Sequence, residues 1–253
     1  MTGQAQRVRI FAVLAIVGFL AFFFLPPLHQ WESYHHFADD RTFLAIPNCL
    51  NVVSNLPFLG VGLAGLIGLR AGKIRCDGAG RWCWTVFFVG VLLTCFGSGY
   101  YHWSPNDATL VWDRLPMTIS FMALLAAMIG ERISPTAGQR VLWPLVVFGI
   151  GSVAWWRWTG NLWPYAGTQY FSIVLVGVLL VMFPAAYTRS YDLLIVTGWY
   201  ALAKVFEAVD KPVYALTGHL ASGHSIKHLI AALAVFWVWR MLIARYPRGS
   251  SAR

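Results

Sequence analysis

Eight runs of apolar residues, each near the length that crosses a bilayer, leave this chain few folds to choose from. A membrane-spanning helix needs roughly 20 mostly apolar residues. The runs fall at 10–27, 46–70, 82–103, 114–131, 141–157, 168–187, 193–210 and 223–245. Inside hydrocarbon every backbone N–H and C=O must find its partner within the protein, which selects helices for runs of this length. The expected fold class is therefore all-α, an integral membrane bundle of eight spans. Only 11% of the 253 residues are charged, against about 25% in soluble domains. The length suits one bundle. The first run, "RVRIFAVLAIVGFLAFFFLPP", has the basic-then-apolar order of a signal peptide. No small-residue cleavage site follows it, so it reads as a retained helix.

The formal charge of +9 would raise nucleic-acid binding in a soluble protein. Its placement argues otherwise. If eight spans alternate, 13 of the 19 Lys and Arg lie on one side, from Arg7 and Arg9 through the 70–81, 132–140 and 189 connections to Arg240–Arg253. This asymmetry puts both termini in the cytoplasm. It explains the basic balance with no nucleic-acid partner. Cys49, Cys76, Cys83 and Cys95 show no pairing pattern and no CxxC, which gives neither a disulfide framework nor a thiolate site.

Polar residues then gather on the opposite side. Ser98 and His102 end the third span, Asp113 begins the fourth, and His224 and His228 begin the eighth. Ser98 and His102 are four residues apart, as are His224 and His228, so each pair shares a helix face. Two imidazoles on adjacent turns can hold one metal ion. A third from another helix completes a three-ligand site with an open position, the arrangement of catalytic zinc. Asp113 can manage a proton beside it, and Ser98 can donate to a developing oxyanion. Each residue also has a plainer reading. The histidines can be interfacial side chains or polar glue between helices, Asp113 a helix N-cap, and Ser98 a small packing residue between Gly97 and Gly99.

The stretches "NVVSNLPF" (51–58), "GSGYYH" (97–102), "DRLPM" (113–117) and "GHSIKH" (223–228) together resemble the signatures of alkaline ceramidases. That family stands with the progestin and adipoQ receptors in a superfamily of seven-helix membrane hydrolases. The resemblance covers spans 2 to 8. It implies a seven-helix ceramidase-like core at 46–246, preceded by an extra N-terminal transmembrane helix (1–30) and an outer acidic loop (31–45), and followed by a basic cytoplasmic tail (247–253). It also implies a zinc-dependent amidase that cleaves the N-acyl bond of a ceramide-like lipid drawn from the bilayer. His102, His224 and His228 would hold Zn2+, with Ser98 and Asp113 beside it. Asn51, Ser54 and Asn55 match the family's NxxSN element and are expected to pack with polar cross-links.

The chain also departs from the family. The corresponding loop of eukaryotic ceramidases binds Ca2+. Here it offers Trp31, Glu32, Asp39, Asp40 and Asn48 without the same motif, and a solvated acidic loop is the competing reading. Lys227 stands within the HxxxH where ceramidases tend to carry an aromatic residue, which bears on the lipid pocket. Lys204 and Glu207, three apart on the seventh span, are expected to form a structural ion pair. His35, His36 and His219 are expected to be solvated in outer loops, and the Trp-rich 152–165 segment to form an interfacial belt. A receptor or sensor with a merely structural zinc is the alternative to an enzyme. A proton pathway is disfavoured, because few polar residues continue toward the cytoplasmic ends. The expected setting is a bacterial inner membrane with the site toward the periplasm, an internal eukaryotic membrane being the alternative.

Overall fold

The computed structural model describes residues 3–248, so Arg253 and most of the basic tail lie outside the described residues. The described chain is helical, with no strand beyond two isolated bridges. The long helices are α1 (Gly3–Ala21), α2 (Cys49–Arg70), α3 (Gly78–Trp103), α4 (Asp107–Arg132), α5 (Pro135–Thr159), α6 (Trp163–Met182), α7 (Asp192–Ala208) and α9 (Gly223–Ala244). A short α8 (Asp210–Leu216) joins α7 to α9.

Seven of these, all but α7 and the short α8, are long and apolar enough to cross a membrane. The chain is an all-α integral membrane protein. The seventh predicted span corresponds to α7, which is 17 residues long. Several predicted ends move. Helix α1 begins and ends earlier than the 10–27 run, stopping before the Pro26–Pro27 pair. Helix α4 begins at Asp107, not near Asp113, because Asn106 caps it. The Asn106 side chain accepts from the Ala108 and Thr109 N–H groups while Thr109 Oγ1 accepts from the Asn106 N–H, a reciprocal cap. Asp113 therefore lies inside the helix, and the N-cap reading for it is excluded.

The tightest crossing, between α3 and α4, also sets up the site. Pro116 has no N–H, so the carbonyl of Trp112, one turn earlier, loses its helical donor. Gly97 occupies that place. A Cβ built on it would stand 2.1 Å from the Trp112 oxygen, so its Cα–H points at the freed carbonyl instead. Only glycine allows this approach, and it carries the next residue, Ser98, against the turn that holds Asp113.

The core beneath is apolar. Trp84, Phe88, Met122, Leu125, Leu175 and Leu179 are fully buried in one continuous cluster. Helix α1 is peripheral. It buries Phe11 and Phe19, and Phe19 packs at 5.0 Å on Phe148 of α5 and 5.1 Å on Phe171 of α6. Phe171 closes a π-helical turn, Gly167–Phe171, inside α6. Helix α7 packs along α9 and has no comparable contact with α4 or α6. Its other face lines an internal cavity.

Candidate metal centre and lipid cavity

His102 ends α3, and His224 and His228 occupy successive turns at the start of α9. The structure brings these three into one group. Their ring centroids stand 4.8 Å (His102–His224), 4.8 Å (His102–His228) and 5.0 Å (His224–His228) apart. One nitrogen from each lies within 4.8 Å of the others, and all three are at most 5% exposed. His102 Nδ1 and His224 Nε2 are buried with no hydrogen-bond partner. A buried polar atom left in this way is costly, and three converging imidazoles can relieve that cost where they hold a metal ion in common. The donor set fits a borderline metal such as zinc. Among the described residues no other set of His, Cys, Asp or Glu converges like this, and no fourth member joins the trio.

The "NVVSN" element does more than pack. Ser54 Oγ lies 2.8 Å from His228 Nδ1 and can donate to the Asn51 carbonyl at 3.2 Å. With its proton so directed, Ser54 accepts from Nδ1–H, which leaves the lone pair of His228 on Nε2. Asn55 Nδ2 donates to the Asn51 carbonyl at 2.8 Å. Asn51 is fully buried and works in three directions. Its Nδ2 donates to the Asp39 carbonyl at 2.9 Å, and its Oδ1 accepts from Ser225 Oγ at 2.7 Å and Ser222 Oγ at 3.4 Å. The expected cross-links are present. The contact of Ser54 with a histidine of the trio was not foreseen.

Further supports come from residues to which the sequence assigned no contact with the trio. The Asp210 carboxylate accepts from the N–H of His224 at 2.7 Å and from that of Ala38 at 2.8 Å, tying the start of α9 to the loop. Asn48 Nδ2 donates to the His102 carbonyl at 2.9 Å. Phe37, from the same loop, packs on two of the three, with its ring 4.7 Å from His102 and 4.6 Å from His224.

Ser98 is buried, and its hydroxyl lies in hydrogen-bonding reach of the Asp113 carboxylate. Both line a cavity of about 350 Å³ together with His228. Deeper in, the wall is apolar: Phe58, Val91, Leu124, Val176, Leu193 and Val238. An apolar cleft of this size with a few convergent polar groups at one end is the usual form of a small-molecule site.

Lys204 and Glu207 form the expected ion pair. The pair is not isolated. Lys227 reaches the same carboxylate at 2.5 Å, and the Tyr34 hydroxyl donates to it at 3.2 Å. Burial pushes the Tyr34 hydroxyl well above the ordinary tyrosine value, with help from Tyr101, so it stays a donor. All four residues line the cavity.

The acidic loop is divided. The Asp39 carboxylate is buried and held at both oxygens by Arg41, Nε and Nη2 each donating at 2.8 Å. Glu32, Asp40 and Asn48 line a separate open cleft with His35 and Asp107. Asp39 is thus turned away from the other three oxygen donors singled out for calcium. His35 is not solvated as expected. It is 13% exposed and bridges the Tyr101 hydroxyl at 3.0 Å and Asp107 Oδ1 at 3.2 Å. His36 and His219 are exposed. Trp156, from the Trp-rich segment, is buried against Arg114, while Trp158 is 92% exposed.

Compared with known proteins, the chain matches no family model and no curated sequence significantly.

Proposed function

We propose that this chain is a zinc-dependent intramembrane amidase that hydrolyses the N-acyl bond of a ceramide-like lipid to a fatty acid and a sphingoid-type amine, as its likeness to alkaline ceramidases implies. One observation carries the reading. Three buried histidines, two with an unpartnered ring nitrogen, form one group, and one of them, His228, lines the same apolar cavity as Ser98 and Asp113. His102, His224 and His228 would hold the metal. Zinc at such a site supplies Lewis acidity and activates water near neutral pH.

The chain's own residues supply the rest. The apolar wall from Phe58 to Val238 receives the acyl chain and leaves the amide at the polar end. Phe37 and the surrounding burial restrict bulk water to that end. Asp113 accepts a proton from water as its oxygen bonds to the carbonyl carbon, and returns that proton to the nitrogen as the C–N bond breaks. One water is consumed and no redox partner is needed. Ser98 orients the Asp113 carboxylate, and its hydroxyl can turn to the carbonyl oxygen as charge develops there.

The alternative is a receptor or sensor of the same superfamily with a structural zinc. A closed structural site has four protein ligands, and the trio has three among the described residues, which favours the enzyme. With α7 counted, eight crossings and the one-sided Lys and Arg would place both termini in the cytoplasm and the site toward the outer face, in a bacterial inner membrane.

Zinc content and turnover of ceramide, measured on the same detergent-purified samples, test the proposal. About one zinc per chain, lost together with turnover in His224→Ala, is the expected result. Zinc without turnover of any N-acyl lipid would favour the receptor reading. Absence of zinc in the wild type would overturn the metal centre.

A further inference from the structure

Arg114 is a buried cation that the chemistry above does not use. It is 4% exposed and lines the cavity one residue beyond Asp113. Its guanidinium carbon lies over two rings, 4.0 Å from the centroid of Trp156 and 4.6 Å from that of Tyr165. Nη2 donates to the Gln30 side chain, and the Tyr165 hydroxyl is also within reach. Nη1 is buried with no hydrogen-bond partner, and no carboxylate pairs with Arg114 among the described residues. Arginine does not lose its charge in proteins. A guanidinium packed against two rings, with one nitrogen left empty, is prearranged for an anionic oxygen.

Its neighbours point the same way. Lys204 and Lys227 share a single carboxylate, Glu207. The cavity wall therefore carries three basic side chains, Arg114, Lys204 and Lys227, against two carboxylates, Glu207 and Asp113. Asp113 is within Coulombic reach of all three. A neutral lipid would leave this excess positive charge buried without a counter-charge, which is expensive. The excess sits at the polar end, beside the reacting groups, and not along the wall that takes the acyl chain.

We infer that the substrate is an N-acyl lipid whose amine portion bears an anionic group, a phosphate, sulfonate or carboxylate, recognised by Arg114 with Lys204 and Lys227 in support. This rests on the amidase reading for turnover but not for binding. Arg114 is a specificity-determining residue here, distinct from the metal trio and from Asp113.

The test compares acyl-matched substrates on the full-length protein: ceramide, ceramide 1-phosphate and an N-acyl taurine. The expected result is a higher kcat/KM for an anionic substrate than for ceramide, with the ratio falling roughly 30-fold or more in Arg114→Gln. Equal rates, or a preference for ceramide, in the wild type would overturn the inference with no variant needed. If nothing is hydrolysed, the amidase reading fails separately. Thermal stabilisation by non-hydrolysable N-alkyl analogues, phosphorylated against neutral, then decides the head-group site. A larger shift with the phosphorylated analogue, abolished in Arg114→Gln, supports it. Equal shifts overturn it.

Discussion

Ser54 Oγ lies 2.8 Å from His228 Nδ1, joining the broken start of α2 to a candidate metal ligand on α9. The contact fixes which nitrogen of His228 faces the other two histidines. Partners of this kind are worth 10- to 100-fold in metal affinity, on the order of 1–3 kcal/mol. Ser54→Ala is expected to weaken zinc binding by about that factor while leaving the fold intact. Ser54→Thr, which keeps the hydroxyl, is expected to restore it. Chelator competition on the purified proteins would measure both. Equal affinities in wild type and Ser54→Ala would show that the hydrogen bond does not orient a ligand.

Gly97 gives a second expectation, this one about geometry. Its Cβ in an alanine variant would stand 2.1 Å from the Trp112 carbonyl oxygen, a backbone atom that cannot swing away. Helices α3 and α4 must separate. Overpacking of this sort costs about 1–3 kcal/mol. Because Ser98 follows directly, Gly97→Ala is expected to lower turnover by more than it lowers zinc content. Gly99→Ala, where a Cβ meets nothing within 4 Å, is the control and is expected to be near neutral. A Gly97→Ala protein with wild-type melting and turnover would contradict the crossing.

These two residues show what could be read in the sequence and what could not. The trio was legible because i,i+4 spacing marks a helix face locally, and because counting spans put His102 at the same end as His224 and His228. Ser98 and Asp113 were legible for the same reason. The contact of Ser54 with His228 and the roles of Phe37, Asp210 and Arg114 were not, since each depends on a partner far along the chain, and no local period encodes that. The N-cap reading of Asp113 failed because the span was started at 114, after the charged pair Asp113–Arg114, although Leu110, Val111 and Trp112 already belong to the helix. The capping pair Asn106 and Thr109, lying just upstream in a polar stretch, was the signal that would have placed it correctly.

Asp39 leads to a pH prediction. Burial alone would raise its carboxyl, but the hydrogen bonds and charge of Arg41 outweigh this and hold it below the ordinary 3.8. The unfolded chain therefore binds that proton more tightly than the folded one. The stabilisation is complete above the unfolded value and is lost as pH falls through the lower folded value. Melting temperatures of wild type and Asp39→Asn are expected to differ near neutral pH and to converge in acid below 3.8. A gap that persists at low pH would mean that the carboxylate charge is not what anchors the loop.

Far from the metal trio, Glu131 and Arg245 make the most deeply buried ion pair among the described residues, with side chains 5% and 1% exposed. The pairing is bidentate, Nη1 to Oε2 at 2.8 Å and Nη2 to Oε1 at 2.6 Å. Trp84 Nε1 donates to Oε1 at 3.1 Å, and Arg245 Nε donates to the Arg75 carbonyl at 2.9 Å while its guanidinium stacks 4.1 Å over Tyr187. Removing one partner strands the other charge in a low-dielectric setting, which costs about 3–5 kcal/mol. Removing both leaves a gap that apolar side chains can fill, and such replacements are often neutral. Glu131→Leu and Arg245→Met are each expected to lower the melting temperature strongly, and the double variant to recover much of the loss. Zinc content per folded chain is expected to be unchanged in all three, because the network touches none of the histidines. Additive losses in the double variant would show that the two residues act independently, and that the close of the chain is not fastened to α4 by this pair.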